Sequence, residues 1–163
     1  MTHPLRLLIT IPALGSVYGG PSKSVRQLAQ ALGQQGALVD LVTTNANGTE
    51  KLDVSLQTWQ EERHYRLQYF PCRVWGDYKW STPLATWVGE NLHHYDAVHL
   101  SAIFSLTNLP FYWHCRRQRV PYIIAPRGML EPWALAYKAR KKRLYYHLKK
   151  NLNFFFIGAK FYA

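Results

Sequence analysis

The stretch from Leu5 to Gln35, LRLLITIPALGSVYGGPSKSVRQLAQALGQQ, constrains the fold more than any other part of the chain. Leu7, Leu8, Ile9 and Ile11 form a short apolar run, which suits a strand buried on both faces. Gly15, Gly19, Gly20 and Pro21 interrupt it, because neither a strand nor a helix tolerates that cluster in its interior. Val25, Leu28, Ala29 and Leu32 then recur at i, i+3, i+4 and i+7 and make one apolar helix face. Ser22 is the expected N-cap, its hydroxyl accepting from the first free backbone N–H groups. A strand, a glycine turn and a helix N-terminus leave amides pointing at open space, a geometry that attracts anions and phosphates above all. The dinucleotide pattern G-x-G-x-x-G is absent. The phosphate loop G-x-x-x-x-G-K-[ST] nearly fits: Gly15 and Gly20 have the spacing, but Pro21 and Ser22 follow, and Lys23 and Ser24 come two residues late. An NAD site and an ATPase are therefore not read here. The turn either faces a phosphate or simply joins a strand to a helix.

Gly36 is expected to end this first helix, and Ala37 to Thr43 to form a second strand. Thr44 to Thr49 reads as loop and Glu50 to Tyr65 as irregular. Arg66 to Phe70 reads as a short strand closed by Pro71, and Arg73 to Lys79 as a loop. Ser81 caps a helix with Pro83 in its first turn and a face of Leu84, Trp87, Val88 and Leu92. Asp96 to Leu100 is a strand, Asn108 and Pro110 open a helix running to about Gln118, and Pro121 to Ala125 is a strand. A long helix is expected from Pro132 or Trp133 to about Lys150. This alternation predicts an α/β fold: a doubly wound, Rossmann-like parallel sheet with strand order 3-2-1-4-5 or a close variant. In such sheets ligands sit beyond the carboxyl ends of the strands, where the loops Pro12–Pro21, Ser101–Thr107 and Pro126–Trp133 are expected.

A chain of 163 residues suits one core, and 48% hydrophobic with 15% aromatic residues excludes a mostly disordered chain. The formal charge of +11 favours anionic partners: nucleic acid, anionic lipid or phosphorylated ligands. Cys72 and Cys115 match no metal spacing, so no metal is expected, and two free thiols in a reduced cytoplasm are the plain reading. No apolar stretch is long enough to span a bilayer. The apolar N-terminus holds Pro12 and no small-residue cleavage site, so it reads as a first strand.

His99, at the end of a strand in YDAVHLSAIFS, is either a packed residue or a group of the cleft. Arg127, between Pro126 and Gly128, can clamp an oxyanion bidentately or pack on Trp133. Glu131 can orient Arg127, bind an acceptor hydroxyl, or serve the following helix N-terminus. Lys138, Arg140, Lys141, Lys142, Arg143, Lys149 and Lys150 crowd one helix among Trp133, Tyr137, Tyr145 and Tyr146. They form either a solvated face or a membrane-surface helix, with Lys138, Lys141, Lys142 and Arg143 facing an anionic bilayer in salt-reversible, peripheral association. No RRM, KH, zinc-finger or helix-turn-helix pattern supports nucleic acid.

GGPSKSVRQLAQALGQQG followed by VDLVTT resembles the N-terminus of a family 4, GT-B type glycosyltransferase. YDAVHLSAIFS, VPYIIAPRGMLEPWAL and KARKKRLYYHL resemble later landmarks of the same N-terminal domain, so the resemblance covers about Leu5 to Leu152. It implies the N-terminal half of a GT-B fold over residues 1–152, in a two-domain retaining hexosyltransferase of polysaccharide biosynthesis. Such an enzyme moves a sugar from a nucleotide-sugar to an acceptor without a metal or other cofactor. By that resemblance Gly19 and Gly20 lie at the loop that closes on the donor diphosphate, with Lys23 at the start of its helix. His99, Ser101, Arg127 and Glu131 lie on the side of the acceptor, a sugar or a lipid-linked sugar. Arg127 and Ser101 stand where many relatives have His, so a His-based acceptor contact is not carried over. Residues 153–163, NFFFIGAKFYA, no longer resemble the family's next strand, so the expectation is a truncated or natural short form without the donor-binding domain. The resulting expectations are an acceptor-binding half that is inactive alone and exposes apolar and aromatic groups around Pro12–Pro21 and Pro126–Trp133, prone to self-association. A binding subunit paired with a separate donor-binding chain at a membrane, or a basic nucleic-acid-binding protein, are the alternatives.

Overall fold

β1 (Arg6–Thr10) runs through the middle of the molecule with Leu8 and Ile9 fully buried on opposite faces. The computed structural model describes residues 3–75, 78–103 and 105–127. After β1 come α1 (Gly20–Gln34), β2 (Leu38–Thr44), the short strands β3 (Ala46–Asn47) and β4 (Glu50–Lys51), β5 (Trp59–Glu61) and β6 (Arg66–Phe70). A hairpin of β7 (Arg73–Trp75) and β8 (Tyr78–Trp80) leads into α2 (Thr82–Asn91), β9 (Ala97–Ser101), α3 (Leu109–Gln118) and β10 (Tyr122–Ala125).

Among the described residues the main sheet has the order β10-β9-β1-β2-β6-β5. All neighbours are parallel except β5, which pairs antiparallel with β6. Read from the β6 edge, the parallel strands follow the order 3-2-1-4-5, as the alternation of elements predicts. One face packs Ile9, Val39, Leu41 and Leu67 against Val25 and Ala29 of α1. The other packs Leu8, Val42, Phe70 and Leu100 against Leu84 and Val88 of α2 and Phe111 and Tyr112 of α3. Helices thus cover both faces, which is why Leu7–Ile9 of β1 and Val39, Leu41 and Val42 of β2 do not follow a simple apolar–polar alternation. The fold is a doubly wound, Rossmann-like α/β arrangement, as the resemblance to a GT-B N-terminal domain implies.

The structure corrects several local expectations. The N-cap of α1 is Gly19, not Ser22; the Ser22 hydroxyl, inside the first turn, donates to the Gly15 carbonyl at 3.3 Å. Gly19 takes φ 60° and ψ −129°, a conformation open to glycine, and Pro21 fits the first turn because its missing N–H has no helical partner there. The segments read as loop or irregular contain β3–β4, β5 and β7–β8. Elsewhere the boundaries agree within a residue or so: Gly36 has φ 90° just past α1, and Ser81 Oγ accepts from the Leu84 N–H at 3.3 Å.

At the amino end of the sheet, Asp40 is buried and accepts from Arg66 Nε at 2.8 Å, Arg66 Nη2 at 2.7 Å and Tyr95 Oη at 2.6 Å. Burial and the Asp40 carboxylate both push the Tyr95 phenol well above its usual value, so it stays a donor. Removing the carboxylate leaves the buried Tyr95 hydroxyl without an acceptor, while Arg66, 40% exposed, turns to water. Asp40→Ala is expected to cost about 2 kcal/mol in urea unfolding, the usual penalty of an unsatisfied buried donor. Tyr95→Phe should recover part of that loss in the double variant; strictly additive losses would contradict the coupling.

Candidate functional site

The glycine loop between β1 and α1 is held from below by the end of β2. Thr43 Oγ1 donates to the Ile11 carbonyl at 2.8 Å and Thr44 Oγ1 to the Pro12 carbonyl at 2.6 Å. From the side, Tyr18 Oη accepts from the Gly48 N–H at 2.9 Å, and the Lys79 ammonium lies 4.6 Å from the Tyr18 ring centroid. A short 3-10 turn, Ser16–Tyr18, then delivers the chain to Gly19. Gly19, Gly20 and Lys23 are all exposed, and a Cβ added at either glycine would meet nothing within 4 Å. The Gly20 N–H, at the first helical position, has no partner within the helix. A rigidly braced, open helix N-terminus with a lysine on its first turn is a surface that anions can approach closely.

Arg127 completes this surface from the far side of the sheet. It follows β10 with φ 54°, and its Nη1 donates to Ser24 Oγ at 2.8 Å. Ser24 in turn donates to the Pro21 carbonyl at 3.2 Å, so the guanidinium is tied to the first turns of α1. Burial pulls the Arg127 guanidinium below its usual value, though such a group remains a cation near neutrality. Its Nε is buried with no hydrogen-bond partner among the described residues. The ion pairs of the described residues, Arg26–Glu62 and Arg66–Asp40, lie elsewhere, and neither Arg127 nor Lys23 is paired with a carboxylate among the described residues.

His99 sits on β9 next to this cation. Burial first, and the Arg127 charge second, push its imidazole down to about 4, so at neutral pH it is uncharged. Ser101 is fully buried, its hydroxyl 3.5 Å from His99 Nδ1. Beyond it, Ala102 has φ 70°, and buried Asn108 donates from Nδ2 to the Ser101 and Ala102 carbonyls at 3.1 and 2.6 Å. That asparagine fixes the loop after β9 much as Thr43 and Thr44 fix the loop after β1.

The family described as "Glycosyl transferase 4-like domain" matches residues 19–154, most of the chain. The chain belongs to that family. No curated protein matches it. The glycosyl transferase 4-like domain therefore begins its match at Gly19, the residue that caps α1 at the glycine loop. The structure brings Gly19, Gly20 and Lys23 together with Arg127 and His99 at one sheet edge. Glu131 and the basic run with Lys138, Lys141, Lys142 and Arg143 lie outside the described residues, as does Trp133. Among the apolar residues of Pro12–Pro21, Val17 is 60% exposed while Ala13 and Leu14 are buried. No helix among the described residues is long and apolar enough to cross a membrane. Sequence reasoning missed Ser24, which looked like an ordinary helix residue, and Asn108, read only as a helix start.

Proposed function

We propose that this glycosyl transferase 4-like domain binds the acceptor of a glycosyl transfer and touches the diphosphate of a nucleotide-sugar donor. The observation that carries this reading is the Arg127–Ser24 contact, which sets a guanidinium against the open Gly19–Gly20 turn and Lys23. Transfer breaks the bond from the anomeric carbon to a diphosphate oxygen and forms one to an acceptor oxygen. The leaving diphosphate gathers negative charge, and the Gly20 N–H, Lys23 and Arg127 are donors suited to it. Neutral His99 is suited to hold an acceptor hydroxyl rather than a charge. Transfer needs donor and acceptor in one oriented geometry, and among the described residues this edge offers a donor contacts for its diphosphate alone. The chain by itself is therefore expected to release no nucleoside diphosphate from nucleotide-sugars.

Titration calorimetry with pyrophosphate and with uridine and guanosine diphosphates tests the binding. Weak binding is expected, weakened about tenfold, near 1.4 kcal/mol, when Lys23→Gln and Arg127→Gln are combined. Binding that ignores both substitutions would remove the site from this edge.

A further inference from the structure

A recess among the described residues lies on the same carboxyl edge but away from the glycine loop. It is a groove of about 840 Å³ between α2, β4 and the segment leaving β6. β6 is two strands from β1, so the groove is offset from the loop by roughly 10 Å at ordinary strand spacing.

Its walls are chemically distinct. On the α2 side Thr82, Thr86 and Glu90 follow at intervals of four, which aligns two hydroxyls and a carboxylate along one helix face. All three are exposed, and Thr82 is held in place because its Oγ1 accepts from Trp80 Nε1 at 3.0 Å. The opposite wall carries Lys51 and Arg73, both exposed and without a carboxylate partner among the described residues. Between them Gln57 holds φ 56°, a left-handed conformation uncommon outside glycine, pinned by its N–H donating to the Tyr69 carbonyl at 2.7 Å. Trp87 and Pro71 form the apolar part of the lining, and Trp87 is backed by Trp59, Phe70 and Tyr95 at ring distances of 6.0, 5.7 and 6.4 Å.

A ligand for this groove needs an apolar face for the indole, hydroxyls for the threonines, Gln57 and Glu90, and a negative group for two cations that have no ion pair among the described residues. An acidic sugar has all of these: C–H groups on the ring face, hydroxyls around the rim and one carboxylate. We propose that the groove is a second subsite of the acceptor, holding a uronic-acid unit away from the point of transfer. The proposal rests on the acceptor-binding reading above. Lys51 and Arg73 hold the carboxylate, and Glu90 with Gln57 fixes the ring by its hydroxyls.

The test uses the full chain and saturation-transfer NMR with trimers of galacturonic and glucuronic acid, beside neutral trimers of galactose and glucose. At least one acidic trimer is expected to bind about fivefold or more tighter than its neutral counterpart, and Arg73→Gln with Lys51→Gln should erase that preference, since exposed charges contribute modest but measurable affinity. Trp87→Phe should change the ring contacts seen in the spectrum. Pyrophosphate binding at the glycine loop should survive all of these substitutions, which separates a failure here from a failure of the diphosphate site. No binding by either acidic trimer, equal binding of acidic and neutral trimers, or a preference that persists in the Lys51/Arg73 variant overturns the proposal.

Discussion

Gly33→Ala is expected to destabilise the domain by about 3 kcal/mol, although alanine is the better helix former by about 1 kcal/mol. Gly33 is in the last turn of α1, and a Cβ built there would lie 1.8 Å from the His64 carbonyl oxygen and 2.8 Å from its carbon. The obstacle is backbone. His64 belongs to the turn between β5 and β6, where the Glu62 N–H donates to the Tyr65 carbonyl at 2.9 Å. Neither that turn nor the helix can move without disturbing the packing of Val25 and Ala29 on β2. Gly20→Ala is the matched control, because its Cβ would meet nothing within 4 Å. In thermal unfolding the first variant should fall by roughly 10 °C and the second should stay within a degree or two, at the few degrees per kcal/mol usual for this size. A Gly33→Ala melting point at or above that of the unaltered chain would falsify the close approach.

The core of the sheet was legible because it depends on local pattern. Leu7 to Ile11, Val39 to Val42 and Leu67 to Phe70 are short apolar runs between helical periodicities, and βαβ handedness leaves few ways to wind them. The hairpins were not read, for two different reasons. β3–β4 has strands of two residues, too short for any periodicity to register. β7–β8 did carry a signal: Val74-Trp75 and Tyr78-Lys79-Trp80 flank a Gly76-Asp77 pair, a spacing typical of a hairpin, but two aromatic clusters so close together read as loop.

At the site, the glycine loop was visible because glycine and proline punctuate a sequence directly. The link between Arg127 and Ser24 was not, because 103 residues separate them and no local pattern records which helix a strand-end side chain will reach. The groove beside α2 was hidden for the same reason. Its Thr82, Thr86 and Glu90 look like the solvent face of an amphipathic helix, and only the fold sets Lys51 and Arg73 across from them. Both the Arg127–Ser24 link and the groove join residues far apart in sequence, which local periodicity does not record.

His99 should make the domain acid-sensitive between pH 6.5 and about 4. Its folded value is about 4, against 6.5 for an unperturbed histidine, because burial removes water from the ring and the Arg127 cation repels a second charge. Above pH 6.5 the ring is neutral whether the chain is folded or not, and it contributes nothing to the pH dependence. As the pH falls through 6.5 the unfolded chain binds a proton that the folded chain does not, so stability falls. The loss levels off near pH 4, where the folded state takes up the proton as well, and by then amounts to about 3 kcal/mol. Urea unfolding at a series of pH values should show a shallower fall for His99→Gln over that window, the difference isolating this ring from every other acid-sensitive group. Arg127→Gln removes the repelling charge and leaves the burial, so it should move the His99 titration upward only part of the way to 6.5. The imidazole proton signal, followed by NMR in the folded chain, reads that midpoint directly. A midpoint near 6.5 in the unaltered chain, or one that Arg127→Gln fails to raise, would mean that ring and guanidinium do not share the cleft edge. With both shifts observed, the positive charge of that edge at neutral pH belongs to Arg127 and Lys23, and His99 stands beside them as an uncharged hydrogen-bonding group.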